Sequence, residues 1–428
     1  MANGKMFSFV SHYYPEPLYV DKARDCFVYN EAGEEFLDAY AAVASISVGH
    51  AHPRVCKAVS EQIERVNQTT MLYRTRVLDN YISELQKHLP KHLNRHFFVN
   101  SGSEAIDFAC QASRAHRGRS KILALSDGYH GGSFLAKSIT GIPAWQPVHG
   151  KDAHVAFFHT PGCSTCDEVK RPGVSKRLSI LGSDCRGNCL GLLEDELNKN
   201  ADEVASVILE PVLGVGGILI PSRGFFQRLQ ATCEKHGIDL IVDEVQSGFG
   251  RCGSRLFGFQ LLGLSPDIVC MGKGMANGFP MGLVSARSQI SDAMGNKLHF
   301  STFGGNPMSC AAALETLRII DEEQLVRQVE QVGEYFMAHL DAALLDQPLC
   351  KEIRGVGLII GLEIENAQAA GKILQKCYEK NLLIGLGGRN RNVIRIEPPL
   401  TFTPEMADKA TGIIQEAMQE ITAESNCQ

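Results

Sequence analysis

Three groups of polar side chains follow short apolar segments that we predict to be β-strands. The groups, each with the strand that it follows, are Ser101-Gly102-Ser103 after residues 97–99, Asp243-Glu244 after residues 240–242, and Lys273 after residues 268–271 and one glycine. The serine–glycine–serine segment also begins a predicted helix. Ligands of doubly wound sheets bind at the carboxyl ends of the parallel strands, so we expect the three groups to line one crevice.

The three groups offer complementary chemistry. A serine–glycine–serine turn at the start of a helix presents backbone N–H groups, hydroxyls and the positive end of the helix dipole to a phosphate. A lysine among apolar residues can have a lowered pKa and form an imine with an aldehyde. A carboxylate that pairs with a pyridine nitrogen keeps the ring protonated, and the protonated ring withdraws electrons from a neighbouring carbanion. Phosphate, aldehyde and pyridine ring together make pyridoxal 5′-phosphate (PLP), which we predict as the cofactor.

Each group has an ordinary structural explanation when it is taken alone. A Ser-Gly-Ser turn is most often only a helix N-cap, and a carboxylate at a strand end is most often a cap or a solvated group. Other glycine motifs fit poorly. Gly272-Lys273 lacks the upstream glycine and the following Ser or Thr of a P-loop, and residues 248–253 match a dinucleotide-binding pattern without following the first strand. The prediction therefore depends on the combination of the three groups.

An alternating pattern of predicted helices and strands carries these groups. Between residues 52 and 290 helix-like and strand-like segments alternate, which indicates crossover connections and a mostly parallel sheet. After about residue 310 the pattern changes to that of a smaller α+β domain, and residues 18–37 are typical of a strand–turn–strand. We predict an N-terminal segment at residues 1–50 that packs with the small domain, a large PLP-binding domain at residues 51–309 and a small C-terminal domain at residues 310–428.

Length and composition limit the classes of protein. A single core stops growing at about 250–300 residues, so 428 residues are expected to form two domains. The net charge of −6 argues against a nucleic acid or an anionic membrane as partner, since both attract a basic surface. No apolar run reaches the roughly 18 residues that span a bilayer, and the N-terminus is unlike a transit peptide. We therefore expect a cytoplasmic protein.

Cysteine usage indicates a reducing compartment. The 14 cysteines stand mostly in apolar contexts, where cysteine behaves as a small hydrophobic residue. Cys163 with Cys166 and Cys185 with Cys189 form two pairs whose spacing approaches that of a zinc ribbon. We predict reduced loop cysteines without a metal, with zinc as the less favoured alternative.

Two neighbouring segments give a specific family resemblance. Residues 240–251 (LIVDEVQSGFGR) and 266–274 (PDIVCMGKG) resemble the signature of class III aminotransferases. Shorter segments at residues 49–53 (GHAHP), 100–105 (NSGSEA) and 302–307 (TFGGNP) resemble other conserved parts of that family. The resemblance extends from about residue 17 to 417. It implies the α/β fold of fold type I PLP-dependent transferases, with a mostly parallel central sheet in a large domain and a smaller α+β domain.

The resemblance implies a role for each matching residue. Lys273 would carry PLP covalently and move the proton between the amine carbon and the cofactor, while Asp243 would pair with the pyridinium. Ser101, Gly102 and Ser103 would bind the phosphate, and Thr302 would do so across the interface of a homodimer. The other residues that would contact the cofactor are Tyr129, His130, Glu210, Val245 and Gln246.

The resemblance also implies how substrates bind. Arg395, which lies between two isoleucines in VIRIEPPL (residues 393–400), would bind a substrate carboxylate with its planar guanidinium, beside Tyr40. Glu210 resembles the family's gate glutamate, which pairs with that arginine when the substrate's amine is remote from its carboxylate. Within the family the chain most resembles the alanine–glyoxylate aminotransferase 2-like and omega-aminotransferase group. Gly132 departs from the ornithine and acetylornithine branches, where an arginine is common.

Together these features predict a PLP-dependent transaminase. It would move an amino group from an amino acid or an ω-amine to an oxo acid such as pyruvate or glyoxylate by a ping-pong mechanism. A lyase, decarboxylase or racemase on the same scaffold is the alternative, because such enzymes would use the same Lys273 and Asp243. A degenerate scaffold that only binds a partner is disfavoured by the intact Lys273, Asp243 and phosphate turn.

Overall fold

The computed structural model describes residue 14 and residues 17–161, 190–295 and 298–426. The strands of these residues form three sheets. The strands are β1 Val20–Arg24, β2 Phe27–Asn30, β3 Glu35–Asp38, β4 Arg95–Val99, β5 Lys121–Leu125, β6 Val155–Phe158, β7 Val204–Leu209, β8 Asp239–Asp243, β9 Ile268–Met271, β10 Gly282–Ala286, β11 Cys350–Val356, β12 Ile359–Ile364, β13 Leu382–Leu383, β14 Gly385–Gly387 and β15 Val393–Ile396.

Helices pack on these sheets, and several of them begin with residues that favour a helix N-terminus. The helices are α1 Pro53–Arg65, α2 Arg76–Gln86, α3 Gly102–Arg117, α4 Phe134–Ser138, α5 Gly191–Asn200, α6 Arg223–His236, α7 Gly258–Leu262, α8 Ser288–Ala293, α9 Pro307–Glu322, α10 Leu325–Leu344, α11 Ala367–Glu379 and α12 Pro404–Asn426. Proline occupies the first turn of α1 and α9, where its missing N–H costs no hydrogen bond. Ser101, Ser222 and Asn366 cap α3, α6 and α11 by accepting a backbone N–H.

The central sheet has seven strands in the order β4-β10-β9-β8-β7-β5-β6. Strands β5 to β9 pair in parallel, and β10 alone runs against its neighbours β4 and β9. The predicted α/β class with a mostly parallel sheet is confirmed. Strand β10 was not predicted. The chain reverses into it after Lys273 through Asn277 and Gly278, which have φ values of 46° and 94°.

Burial explains why the central strands are almost entirely apolar. All six residues of β7 and all four of β9 are buried, as expected for parallel strands that helices cover on both faces. Helix α3 packs across β7, β8, β9 and β10 on one face of the sheet. This packing places the start of α3 at the edge where β7, β8 and β9 have their carboxyl ends.

Two smaller sheets flank this arrangement. The order β1-β2-β3-β13 joins the N-terminal strands to residues 382–383, and β11-β12-β15-β14 is antiparallel throughout. The predicted boundary between residues 309 and 310 falls inside helix α9, which packs against α1 and α2. The division into domains stays a prediction.

Other expectations concern membranes and metals. Within the described ranges no helix is both long and apolar enough to cross a bilayer. The same residues hold no group of three or more His, Cys, Asp or Glu side chains arranged to bind a metal ion. The two cysteine pairs at residues 163, 166, 185 and 189 lie outside the described residues.

Candidate active site

Polar residues from four strands meet at one edge of the central sheet. Strands β4, β7, β8 and β9 run in the same direction and end at this edge. The residues that the four ends supply are Ser101-Gly102-Ser103, Glu210, Asp243 and Lys273. The structure therefore brings together the three groups from which the sequence analysis started, and adds Glu210 to them.

Lys273 occupies a strained backbone position at the end of β9. Its φ is 45°, in the left-handed region that a residue with a side chain rarely adopts. Its Nζ lies 3.5 Å from Oε1 of Gln246. Burial, with the positive charge of Arg395 second, lowers the pKa of Lys273 despite the opposing charges of nearby carboxylates. A lowered pKa leaves more of the amine unprotonated and hence nucleophilic.

Asp243 is held in place by two hydrogen bonds. Its Oδ1 accepts the backbone N–H of Val245 at 3.0 Å, and its Oδ2 lies 2.8 Å from Nδ1 of the buried His130. Burial alone would lower the pKa of His130, but the hydrogen bond to Asp243 and the charges of Asp243 and Glu210 outweigh it and raise the pKa. Since a carboxylate only accepts hydrogen bonds, Nδ1 of His130 is the donor.

The serine–glycine–serine turn forms the start of α3. Oγ of Ser101 accepts the N–H of Glu104 at 3.2 Å, and Oγ of Ser103 accepts the N–H of Gly132 at 2.9 Å. A Cβ atom on Gly102 would lie 2.7 Å from Cγ1 of Val245. The turn is thus packed tightly against the residue that follows Asp243, and only glycine fits at position 102.

Tyr129 and Thr302 lie at the margin of this cluster. Tyr129 is partly exposed and contacts Trp145 edge to face, with ring centroids 5.3 Å apart. Thr302 is exposed, and its carbonyl accepts a hydrogen bond from Nε2 of Gln68. No hydrogen bond of the described residues joins Thr302 to Gly102, Ser103 or Lys273 in the same chain.

Glu210 binds two backbone N–H groups. Its Oε1 accepts from Tyr129 at 2.8 Å and its Oε2 from Gly214 at 3.2 Å. Burial raises the pKa of Glu210 to about 7, although these two hydrogen bonds and the charge of His130 oppose the rise. Burial at this position therefore disfavours the charged form of Glu210.

Arg395 lies on β15, and its buried side chain contacts two polar partners. Its Nη1 lies 3.0 Å from the hydroxyl of Tyr40, and its Nη2 lies 2.7 Å from Oε2 of Glu397. The second oxygen of Glu397 accepts a hydrogen bond from Nε2 of Gln246. Glycine at position 387 leaves room for the arginine, since a Cβ there would lie 2.5 Å from its Cδ. A continuous set of contacts therefore connects Lys273 to Arg395.

The arrangement fits PLP. The glycine at 102 and the start of α3 suit a phosphate, because a side chain at 102 would fill the turn. Lys273 supplies an amine with a lowered pKa, and Asp243 supplies a fixed carboxylate. A partly exposed tyrosine at 129 stands beside them. Amine, carboxylate, anion-binding turn and aromatic side chain are the donor set that an aldehyde, a pyridine ring and a phosphate require.

Comparison with known families agrees with this chemistry. Residues 9–418 match the family model described as aminotransferase class-III. The chain belongs to the class III aminotransferase family. It is a PLP-dependent transaminase, as predicted from the sequence.

Relatives of this class III aminotransferase differ in substrate. The acetylornithine aminotransferase of Methanothermobacter thermautotrophicus is 32% identical over 412 residues, which is 96% of each chain. The mitochondrial alanine–glyoxylate aminotransferase 2 homolog 2 of Arabidopsis thaliana is 32% identical over 404 residues, 92% of this chain and 81% of the relative. A PLP-bound amine transaminase structure from an uncultivated Pseudomonas species has a TM-score of 0.86, 25% identity and coverage of 98% and 99%.

The transaminase has further residues at this site that the sequence analysis did not assign. Asn277 accepts the N–H groups of Ser47 and Val48 on its Oδ1, at 2.8 and 3.0 Å, and so ties the segment after Tyr40 to the turn of Lys273. No role was predicted for Glu397, which lies in the segment VIRIEPPL at residues 393–400. Its position two residues after Arg395, just past the end of β15, was a usable signal, because residues i and i+2 of an extended chain face the same side.

Proposed function

We propose that this aminotransferase joins PLP to Nζ of Lys273 and uses that nitrogen as its acid–base group. The observation that carries the proposal is the lowered pKa of Lys273 at the edge where Asp243 and the Ser101–Ser103 turn also lie. When bound, PLP supplies an electron sink for the carbon that loses its proton. Lys273, freed by the incoming amine, accepts that proton on Nζ and returns it on the other side of the transferred nitrogen.

The other site residues hold the reacting parts in position. Asp243, fixed by His130, would keep a positive charge on the ring nitrogen. Gly102, Ser103 and the dipole of α3 would bind the phosphate, and Tyr129, Val245 and Gln246 would confine the ring. Glu210 would assist by holding the backbone of Tyr129, whose N–H it accepts.

We further propose a homodimer in which Thr302 reaches the partner's phosphate. Thr302 lies in an exposed segment with Leu298, Phe300 and Phe303, which are also exposed. Gln68 donates a hydrogen bond to the carbonyl of Thr302, and the exposed Leu72 and Tyr73 follow Gln68 closely in the sequence. Several exposed apolar side chains close together in sequence are typical of an interface. Mixing Lys273→Ala with Thr302→Ala protomers tests the arrangement, since mixed dimers would regain one intact site.

The substrates that we propose are an amino acid or ω-amine donor and an oxo-acid acceptor such as pyruvate or glyoxylate. Arg395 supports this, because a guanidinium whose two Nη atoms face polar partners matches the planar geometry of a carboxylate. A cytoplasmic location is supported by the free thiols of the described cysteines, most of which are buried.

Single-turnover spectroscopy tests the catalytic assignment. Wild type, Lys273→Ala and the control Lys57→Ala, whose side chain is 77% exposed, would be mixed with amine donors and followed by the absorbance of the bound cofactor. We expect Lys273→Ala to lose the reaction by a factor of at least about 10³, because proton transfer has no replacement group, and Lys57→Ala to react like wild type. A wild-type rate in Lys273→Ala would refute the assignment.

Analysis of the products separates transamination from the alternative reactions. An aminotransferase releases one aldehyde, ketone or oxo acid for each amine consumed and regains its starting spectrum when an oxo acid is added. Free ammonia or carbon dioxide without a matching oxo acid would instead identify a lyase or decarboxylase. Reduction with borohydride followed by peptide mass analysis is expected to find the cofactor on the peptide that contains Lys273.

A further inference from the structure

The guanidinium of Arg395 already has a carboxylate partner inside the chain. Nη2 donates to Oε2 of Glu397 at 2.7 Å, and the side chains are 2% and 0% exposed. Nη1 lies 3.0 Å from the hydroxyl of Tyr40, whose ring also faces the guanidinium at 5.4 Å. The charge of Arg395 is thus compensated before any substrate arrives.

Glu397 is firmly anchored in this position. Its backbone N–H donates to the carbonyl of Ala39 at 2.8 Å, and its position two residues after Arg395 places both side chains on one face. Its other carboxylate oxygen accepts from Nε2 of Gln246, and Oε1 of Gln246 lies 3.5 Å from Nζ of Lys273. Each oxygen of Glu397 therefore has its own partner, so the carboxylate can give up Arg395 and still keep Gln246.

Glu210 is less suited to compensating Arg395. Both of its oxygens are bound to backbone N–H groups, those of Tyr129 and Gly214. Burial also raises the pKa of Glu210 and so disfavours its charged form. Glu397, by contrast, already forms an ion pair with the buried Arg395.

We propose that Glu397 sets the donor selectivity of the enzyme by competing with the substrate carboxylate for Arg395. The inference rests on the proposed role of Arg395 in binding substrates. With an amine that has no carboxylate, Glu397 stays on Arg395 and no buried charge is left unpaired, so such amines are accepted as donors. With an oxo acid, the substrate carboxylate takes the place of Glu397 at Nη2.

Two substrates of equal length test the proposal. Hexylamine and 6-aminohexanoate present the same amine and differ in the carboxylate at the far end. In Glu397→Gln the competing charge is absent, so we expect the ratio of kcat/KM for 6-aminohexanoate over hexylamine to rise about tenfold. The dissociation constant of hexanoate, which does not react, is expected to fall about tenfold by calorimetry.

The chain offers a matched control. Arg354 is a buried arginine on β11, and Glu352, two residues earlier, pairs with it at 3.0 Å. Glu352→Gln removes a carboxylate partner two residues from a buried arginine, on a strand that β12 separates from β15, and Arg354 keeps its second carboxylate partner, Glu363. We expect it to leave both the ratio and hexanoate binding as in wild type.

The outcomes separate this inference from the proposed function. If wild type converts neither amine, the proposed function fails. If wild type reacts but Glu397→Gln changes the ratio by less than twofold, or binds hexanoate more weakly, the inference is overturned. Should Glu397→Gln not fold, Arg395→Leu/Glu397→Leu removes both charges at once. We expect that variant to lose more activity with 6-aminohexanoate than with hexylamine, and an equal loss would also overturn the inference.

Discussion

Nδ1 of His130 lies 2.8 Å from Oδ2 of Asp243, and both side chains are buried at the carboxyl ends of the central strands. The carboxylate thus has one oxygen on His130 and the other on the N–H of Val245. Two fixed hydrogen bonds restrict both its rotation and its position. The proposed contact of Asp243 with the cofactor ring therefore depends on His130, which is 113 residues away in the sequence.

We predict that His130→Ala weakens PLP binding and lowers kcat by about tenfold to a hundredfold, the range found for residues that orient a functional ligand. His130→Asn is expected to restore most of the loss, because its amide N–H can replace Nδ1. PLP affinity by fluorescence titration and kcat in steady state would be measured for both. His116→Ala is the control, since His116 pairs with Asp239 in the same way away from the site. Equal losses in His130→Ala and His116→Ala would contradict the prediction.

Gly102 provides a steric test of the phosphate turn. An alanine Cβ there would lie 2.7 and 2.8 Å from the two γ-carbons of Val245, so the turn or Val245 must move. We predict that Gly102→Ala weakens PLP binding at least about tenfold. Gly371→Ala in α11 is the control. No atom lies within 4 Å of its added Cβ, so it should stabilise the helix by about 1 kcal/mol and leave PLP binding unaffected.

The sequence predicted the convergence of the site because it depends on a rule of topology. Residues near 101, 243 and 273 are far apart in the chain, but parallel strands bring their carboxyl ends to one edge. Strand Ile268–Met271, which precedes Lys273, was predicted with its observed bounds. Helix α3 begins at Gly102, directly after its cap Ser101, as the serine–glycine–serine turn predicted.

Features that depend on contacts between distant segments were not predicted. Strand β10 exists because its partners β4 and β9 hold it, and its short sequence has no distinctive period. The carboxylate partner of Arg395 was expected to be Glu210, by resemblance. In the structure Glu397 lies there, while Glu210 binds backbone N–H groups. The pairing of Glu210 with Arg395 in one half-reaction stays a prediction.

The segment after Tyr40 is another feature that the sequence did not reveal. Residues 41 to 44 (AAVA) have φ values of 49°, 48°, 63° and 58°, a left-handed turn without glycine. Each such residue costs about 1–2 kcal/mol. The hydrogen bonds of Asn277 to Ser47 and Val48 hold the end of this segment against the turn of Lys273.

We predict that Ala42→Gly stabilises the folded protein by about 0.5–1 kcal/mol, because Ala42 is exposed and its φ of 48° suits glycine. Ala58→Gly in α1 is the matched control, and it should destabilise by about 1 kcal/mol, since glycine is a poor helix former. Chemical denaturation of the two variants and wild type would measure both changes. A loss of stability in Ala42→Gly as large as that in Ala58→Gly would show that the turn is not strained.

The raised pKa of Glu210 predicts a stability that depends on pH. Burial raises this pKa from its ordinary value near 4.5 to about 7, so between these values the native state binds a proton that the unfolded state lacks. Stability relative to Glu210→Gln, which does not titrate, should therefore increase as the pH falls from about 7 to 4.5, by about 1–3 kcal/mol. Denaturation of both proteins at several pH values measures the difference. If the free energies of unfolding of the two proteins changed with pH in parallel, Glu210 would be charged at neutral pH and able to compensate Arg395. Glu210, and not Glu397, would then be favoured as the partner that substrates displace.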